Sequence, residues 1–568
     1  MIFRASFLGP LLALAVGSTA AIMATDDVPL LGPVFLSNFD PSDSKAIRNA
    51  ISDFPNVIEK LFDTEELNRT DLVFAVDVFS AATNKSLYSY YHVGEGKNET
   101  LTSGELNDGT IGRLGSVSKL FTTYAILAKA GIEIFSHPVT RYLPELAGNS
   151  SGSLLEHVRW EDVTVGALAA HQAGSGGASD FLQKFAQNPE KLTSREFLKF
   201  MRDEKHPVVT PFRTAVYSDG GFSILGQVLQ RISGQSYGDA MEDILFKPLG
   251  LDDMSAKVPT GSDLNAINRT TIDNTSSWGL DIDVVASSGG LYASGADLRA
   301  TGLSILNSEL LSSATTREWM KPRSGTGSLV ELVGAPWEIT RLTLPVTPDS
   351  NRTRISDLYS KAGGNGDYTA MLALSPDHGI GFSLLLAGST ATGARWPLRE
   401  AVGSTFLPAA ELAAVENARR NLAGTFAQKG SKGTNLTLSV DGDHPGLGVE
   451  SFFFEGADSK AVLVGGSEGA NASVRVYPTG PNSFSKSLSA LYKTNGTISV
   501  AHRAVGQRLP FPPRVAAEGG KGGYFDTSFT WMNIDFAGPV DELILNLVDG
   551  KVVSVTSTGW EVVLERAE

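Results

Sequence analysis

Cysteine is missing from all 568 residues, which excludes thiol nucleophiles, iron–sulfur clusters, zinc knuckles and any disulfide framework. Basic runs are missing too. Lys and Arg number 47 against 62 Asp and Glu, a net charge of −15, and this acidic balance without a basic run argues against a nucleic-acid partner. No later stretch reaches the ~18 consecutive apolar residues of a membrane span. The 8 His are scattered, with no HExxH, so neither a metal nor another cofactor is indicated. What is present, 42% apolar and 19% charged residues, fits a globular chain of about two to four domains.

The opening residues, MIFRASFLGPLLALAVGSTA, carry Arg4, an apolar run over 7–17, and small residues at Ser18 and Ala20. That pattern predicts a cleaved secretory leader over 1–20. Ten N-x-S/T sequons point the same way, at Asn68, Asn84, Asn98, Asn149, Asn268, Asn274, Asn351, Asn435, Asn471 and Asn495. Together they predict a secreted, extracellular, N-glycosylated protein.

Further along, Ile47, Ile51, Phe54, Ile58 and Leu61 recur at helical spacing, with Pro55 expected to break the run. LVFAVDVFS (72–80) and SLYSYYHVG (86–94) read as a β-hairpin. Helical patterns follow from Ser116 to about Ile132, ending at Gly131, and over 220–233, closed by Gly234. LALSPDHGIGFSLLLAGS (372–389) reads as two buried strands about a Pro-Asp-His-Gly turn. The composition shifts near 408. PAAELAAVENARRN predicts a connecting helix, and NLTLSV, AVLVGG, SVRVYP, TISVAHRAV, LILNLV and KVVSVTSTGWEVVLE read as short strands of a small barrel or sandwich. The expected organisation is an α+β domain over 21–407 followed by a small all-β unit within 408–568.

Two GxSxG matches lack the strand-then-helix context of a nucleophile elbow. Gly148-Asn149-Ser150-Ser151-Gly152 lies in a polar stretch, and Gly465-Gly466-Ser467-Glu468-Gly469 reads as a hairpin turn. S-x-x-K occurs at Ser42/Lys45, Ser116/Lys119 and Ser483/Lys486. Only Ser116 follows a glycine and opens a strongly apolar helix. There Lys119 shares a helix face with Ser116 and reaches its hydroxyl, and unpaired backbone N–H groups favour developing negative charge.

RLGSVSKLFTTYAIL, VTVGALAAHQAGS (163–175), VYSDGGFSILGQVLQRISGQSY (216–237), FKPLGLDDMS (246–255) and SSGGLYASGADL (287–298) follow in one order. In that order the chain resembles the serine β-lactamase and penicillin-binding-protein-like hydrolases, nearest the class C and esterase branch. The resemblance covers about 70–400, and the β-rich tail is similar to that of secreted fungal β-lactamase-like proteins. It implies an antiparallel sheet flanked by helices, with catalysis in 21–407. It also implies that Ser116 is acylated, that Lys119 is its first proton partner, and that Tyr217 acts as general base and later acid. Lys361-Ala362-Gly363 matches the family's K-T-G strand motif, with the Gly364 N–H as oxyanion donor beside that of Ser116. His171 matches a structural histidine. Two ammonium groups beside a phenol favour its ionised form, which explains the pairing of Lys119 and Lys361 with Tyr217.

Two positions depart from the family pattern. Asp219 stands where Asn is usual, and an ionised carboxylate only accepts hydrogen bonds. Ala362 lacks the hydroxyl of K-T-G. No E-x-x-L-N segment supplies a water-activating glutamate. The expected activity is therefore acyl-enzyme hydrolysis of an ester, amide or lactone, on a small-molecule or short-peptide substrate, with β-lactamase activity weak. An acyltransferase of the same fold, or an inactive glycosylated binding protein, is the alternative. Oligomeric state is not legible.

Overall fold

The computed structural model describes residue 28 and residues 30–567, apart from 149–152, 154, 348–349, 351, 443, 465–471, 484–495, 509–515, 518–520, 523–533 and 536–537. The leader, both GxSxG serines, Lys486 and the sequons Asn149, Asn351, Asn471 and Asn495 lie outside the described residues.

The hairpin forms as expected, from β1 (Val73–Ser80) and β2 (Lys85–Val93). Six more strands complete an antiparallel sheet: β3 (Ser324–Gly325), β4 (Glu331–Val333), β5 (Glu338–Pro345), β6 (Thr353–Asn365), β7 (Tyr368–Ser375) and β8 (Ile380–Ala387). Their order is β2-β1-β8-β7-β6-β5-β4-β3. β7 and β8 are buried along their whole length, and their side chains alternate between two cores. Ala370, Leu372 and Leu374 enter the core shared with the helical layer, whereas Met371 and Ala373 enter the opposite one.

That opposite core is covered by α1 (Lys45–Asp63) and a long C-terminal helix. Pro55 does not break α1, contrary to expectation. An interior proline, through its lost hydrogen bond and ring clash together, costs about 3 kcal/mol, and burying Phe54, Ile58 and Phe62 at about 1.5–3 kcal/mol each outweighs it. On the other face stand α2 (Ser118–Ala130), α3 (Ser194–Asp203), α4 (Asp219–Ser233) and α5 (Gly295–Asn307). Gly131 and Gly234 end α2 and α4, both with positive φ, as anticipated.

The connecting helix begins earlier than its sequence suggested. α6 runs from Ala391 to Asn417, so the expected boundary at 407/408 falls inside it. Its first part packs on the sheet, while Ala414 and Val415 join the core of the C-terminal unit. Val34, Phe35 and Leu36, expected in the catalytic domain, also lie in that second core. Glu411 anchors α6 to the sheet. It pairs with Arg354 on β6 at 2.7 Å and with His378, in the β7–β8 turn, at 2.7 Å.

The C-terminal unit is all-β. Its strands are β9 (Gly424–Ala427), β10 (Asn435–Ser439), β11 (Leu447–Phe454), β12 (Ala457–Asp458), β13 (Ala472–Asn482), β14 (Thr497–Arg508), β15 (Glu542–Val548), β16 (Lys551–Ser557) and β17 (Val562–Arg566). The order β10-β9-β17-β16-β15-β14-β13-β11-β12, with β10 also paired to β11, closes a barrel. Alternate residues such as Leu543, Leu545 and Leu547 fill it. The expected strand AVLVGG is not seen over its described residues: Lys460–Val464 form a 3-10 turn that buries Leu463, since a short apolar run fits either conformation. β9, β11 and the short β12 are strands of this unit that the sequence reading missed. Among the described residues no helix is long and apolar enough to cross a membrane.

Candidate active site

Ser116 lies in a short 3-10 turn, Gly115–Val117, that feeds directly into α2. Gly115 has φ +53, and a Cβ there would meet the Gly364 nitrogen at 2.5 Å. Gly363 is equally confined. A Cβ on it would come within 2.0 Å of the Leu114 carbonyl oxygen and 2.6 Å of the Ser116 nitrogen. Backbone without side chains on both sides is what lets the end of β6 lie against the Ser116 turn.

The direction of the Gly364 N–H follows from the strand pairing. β5 pairs with β6 only as far as Ser360, so residues 361–365 have β7 on one side and no strand on the other. Ala362 turns its N–H to the open side, donating to Glu338 Oε2 at 2.9 Å. Backbone groups alternate along a strand, so Gly364 turns its N–H the same way, toward the Ser116 turn. Gly363 turns its carbonyl to the other side, where Arg395 Nη1 donates to it at 2.5 Å.

Lys119 is fully buried, one turn along from the serine. Its Nζ donates to Ser116 Oγ at 3.0 Å, to Asp219 Oδ1 at 2.6 Å and to the Ser288 carbonyl at 2.6 Å. An ammonium has three donors and no acceptor, and here all three are spoken for. The contact to Ser116 Oγ holds the hydroxyl in place. Asp219 is the first residue of α4, where a carboxylate meets unpaired N–H groups, and Ser218 caps the helix by accepting from Gly221 N at 2.8 Å.

Tyr217 is about half exposed. Its ring stacks on His171 at 4.6 Å between centroids, with Lys119 Nζ 5.0 Å and Lys361 Nζ 5.3 Å from the ring centre. Buried His171 accepts from the Ser218 N–H at 3.1 Å through Nδ1. Burial, then the nearby Lys361 and Lys119 cations, push its pKa well below the ordinary histidine value, so the ring is neutral. That environment suits a residue that orients Tyr217 and Ser218.

Lys361 is buried and ion-paired to Glu338, and also donates to the Ala362 carbonyl at 2.7 Å. Burial alone would lower its pKa, but Glu338 and Tyr217 outweigh that and hold it above the ordinary lysine value. The structure therefore brings Ser116, Lys119, Tyr217, Asp219, Lys361, Gly363 and Gly364 together, although they span about 250 positions. Sequence reasoning missed Glu338, Arg395 and the Ser288 carbonyl, and it noted Gly115 without the close approach to Gly364 that its missing side chain permits. Glu338 sits 23 residues before Lys361 in no local motif, and only the β5–β6 register places it there. The other S-x-x-K serine with a described lysine, Ser42, instead donates to Asp40 Oδ1 at 2.7 Å.

The "Beta-lactamase" family model matches residues 81–403, and a "Beta-lactamase-like-like, C-terminal domain" model matches 414–568. A beta-lactamase-like protein of Arthroderma benhamiae is 31% identical over 368 residues, 60% of this chain and 58% of that relative. The match thus spans less than two thirds of its length. A probable hydrolase of Phoma sp. is 26% identical over 72% of this chain and 69% of its own. Another, of Cochliobolus lunatus, is 25% identical over 71% and 70%. The family match covers more than half of the sequence and includes every residue gathered around Ser116, and on that basis the chain belongs to the β-lactamase family.

Proposed function

We propose that this hydrolase works by acylation of Ser116, on an ester, amide or lactone. The observation that carries the reading is the 3.0 Å bond from Lys119 Nζ to Ser116 Oγ, made by an ammonium that has no capacity left to accept a proton. The base must be another group, and Tyr217 is the titratable side chain poised between Lys119 and Lys361. Its oxygen takes the Ser116 proton as Oγ attacks the substrate carbonyl. The N–H groups of Ser116 and Gly364 receive the negative charge on the carbonyl oxygen. Tyr217 then passes the proton to the departing alcohol or amine, leaving acyl-Ser116. Water repeats the sequence and frees the acid.

Asp219 and Ala362 favour esters and lactones over penicillin-like amides. Asp219 accepts from Lys119 and offers no donor to a substrate amide carbonyl, and Ala362 offers no hydroxyl to a substrate carboxylate. The relatives named as probable hydrolases support the broad class. Secretion is part of the same proposal. The leader pattern supports it, and so do the six described sequons, Asn68, Asn84, Asn98, Asn268, Asn274 and Asn435, none of which is buried.

Intact-mass analysis after incubation with a fluorophosphonate tests the acyl-enzyme. The wild-type chain gains one adduct and Ser116→Ala gains none. Equal labelling of both, or of neither, overturns the assignment.

A further inference from the structure

A second groove, of about 800 Å³, lies between α3 and the far half of α4. Asp219 begins α4 at the Ser116 site. Gln227 lies eight residues on, about 12 Å along the helix at 1.5 Å per residue, so the groove is separate from that site. Its lining inverts the sign of the chain. Arg195, Lys199 and Arg202 stand at i, i+4 and i+7 of α3, and Arg231 joins them from α4, against the single carboxylate of Glu145. Arg231 pairs with Glu145 at 2.7 Å, and Arg202 with Asp203 at 2.6 Å. Arg195 and Lys199 are exposed and have no ion-pair or hydrogen-bond partner among the described residues. In a protein of net charge −15 a stripe of four cations runs against the general field.

The second observation is Gln227. It lines the groove, is only 8% exposed, and its side-chain amide has no hydrogen-bond partner among the described residues. The stem of the side chain is buried while its amide end opens onto the groove. An amide left open at a groove wall, with both a donor and an acceptor, is matched by a hydroxyl, which also donates and accepts. Cations on successive helical turns, about 5–6 Å apart, match anions repeated along a chain. The walls are helical and expose no strand edge for an extended peptide to join.

We propose that this groove binds an acidic oligosaccharide, with carboxylates on successive sugar units meeting Arg195, Lys199 and Arg231 and a ring hydroxyl meeting Gln227. The ligand chemistry does not depend on the reading of Ser116, and ester turnover is measured in parallel to keep the two apart.

Calorimetric titration of the full chain with a short oligogalacturonate tests it. Saturable binding is expected, weakening steeply as salt is added. The same oligomer with its carboxylates methyl-esterified does not bind. The surface variant Arg195→Glu/Lys199→Glu lowers affinity at least tenfold, and Gln227→Leu lowers it several-fold, both with ester turnover unchanged. No binding, equal binding of the methyl ester, or equal affinity in the double variant overturns the proposal. So does equal or tighter binding of poly-glutamate, which would make the groove a site for acidic peptides.

Discussion

Glu338 holds Lys361 with one carboxylate oxygen and the N–H of Ala362 with the other, at 2.9 Å, so one side chain fixes both the cation beside Tyr217 and the strand backbone that leads to Gly364. With Lys119 bound to Asp219, each of the two lysines beside the tyrosine is tied to a carboxylate.

Replacing Glu338 by Gln should therefore lower ester kcat by about 10–100-fold, since a hydrogen bond to a charged group is worth about 1.5–3 kcal/mol. It should also change the pH profile. Glu338 helps to raise the Lys361 pKa against burial, so without it Lys361 loses its proton at lower pH. The alkaline limb of the pH–rate curve then moves down. A fall in kcat with no movement of that limb would confine Glu338 to a structural part.

Asp219→Asn should raise the turnover of a chromogenic cephalosporin relative to a simple ester. Asn supplies a donor that the carboxylate lacks, and one neutral hydrogen bond is worth about 1 kcal/mol, a ratio change of about fivefold. An unchanged or lower ratio of the two rates would count against the account of this position.

Gly363→Ala should abolish measurable ester turnover. Its Cβ would stand 2.0 Å from the Leu114 carbonyl oxygen, so strand and serine turn must separate. Forced separation of this kind costs about 1–3 kcal/mol of stability, which thermal unfolding reads as a lowered Tm. Retained activity at an unchanged Tm would refute the close approach.

Acid stability should depend on Glu411. Burial alone would raise its pKa, but Arg354 and His378 hold it down at about 2, against an ordinary 4.5. The native state then binds fewer protons than the unfolded chain between those values. The stabilisation, of the order of 3 kcal/mol, is complete above about pH 4.5 and disappears as the pH falls to about 2. Urea unfolding of wild type and Glu411→Gln across that range checks it. The variant should be less stable at pH 6, by about 3–5 kcal/mol, and the difference should narrow on acidification.

Much of this was legible in the sequence where the signal is local. The β1–β2 hairpin, the glycine ends of α2 and α4, and the Lys119 reach to Ser116 each depend on residues within a few positions of one another. The motifs at Ser116, Tyr217 and Lys361 named a site because their order matched a family. The reading failed where burial overrode a local rule, as at Pro55, and it started the connecting helix too late, since α6 begins at Ala391 and serves two cores.

The sequence by itself determined that no thiol can serve as nucleophile, since cysteine is absent, and which S-x-x-K serine follows a glycine and opens an apolar helix. Only the tertiary structure decided what surrounds it. Glu338 reaches Lys361 through a strand register, Gly363 and Gly115 let two backbones touch, and Lys119 finds Asp219 and the Ser288 carbonyl from distant segments. Such contacts join residues 20 to 250 positions apart. Nothing in local spacing encodes them, because they are set by which faces the two cores must bury.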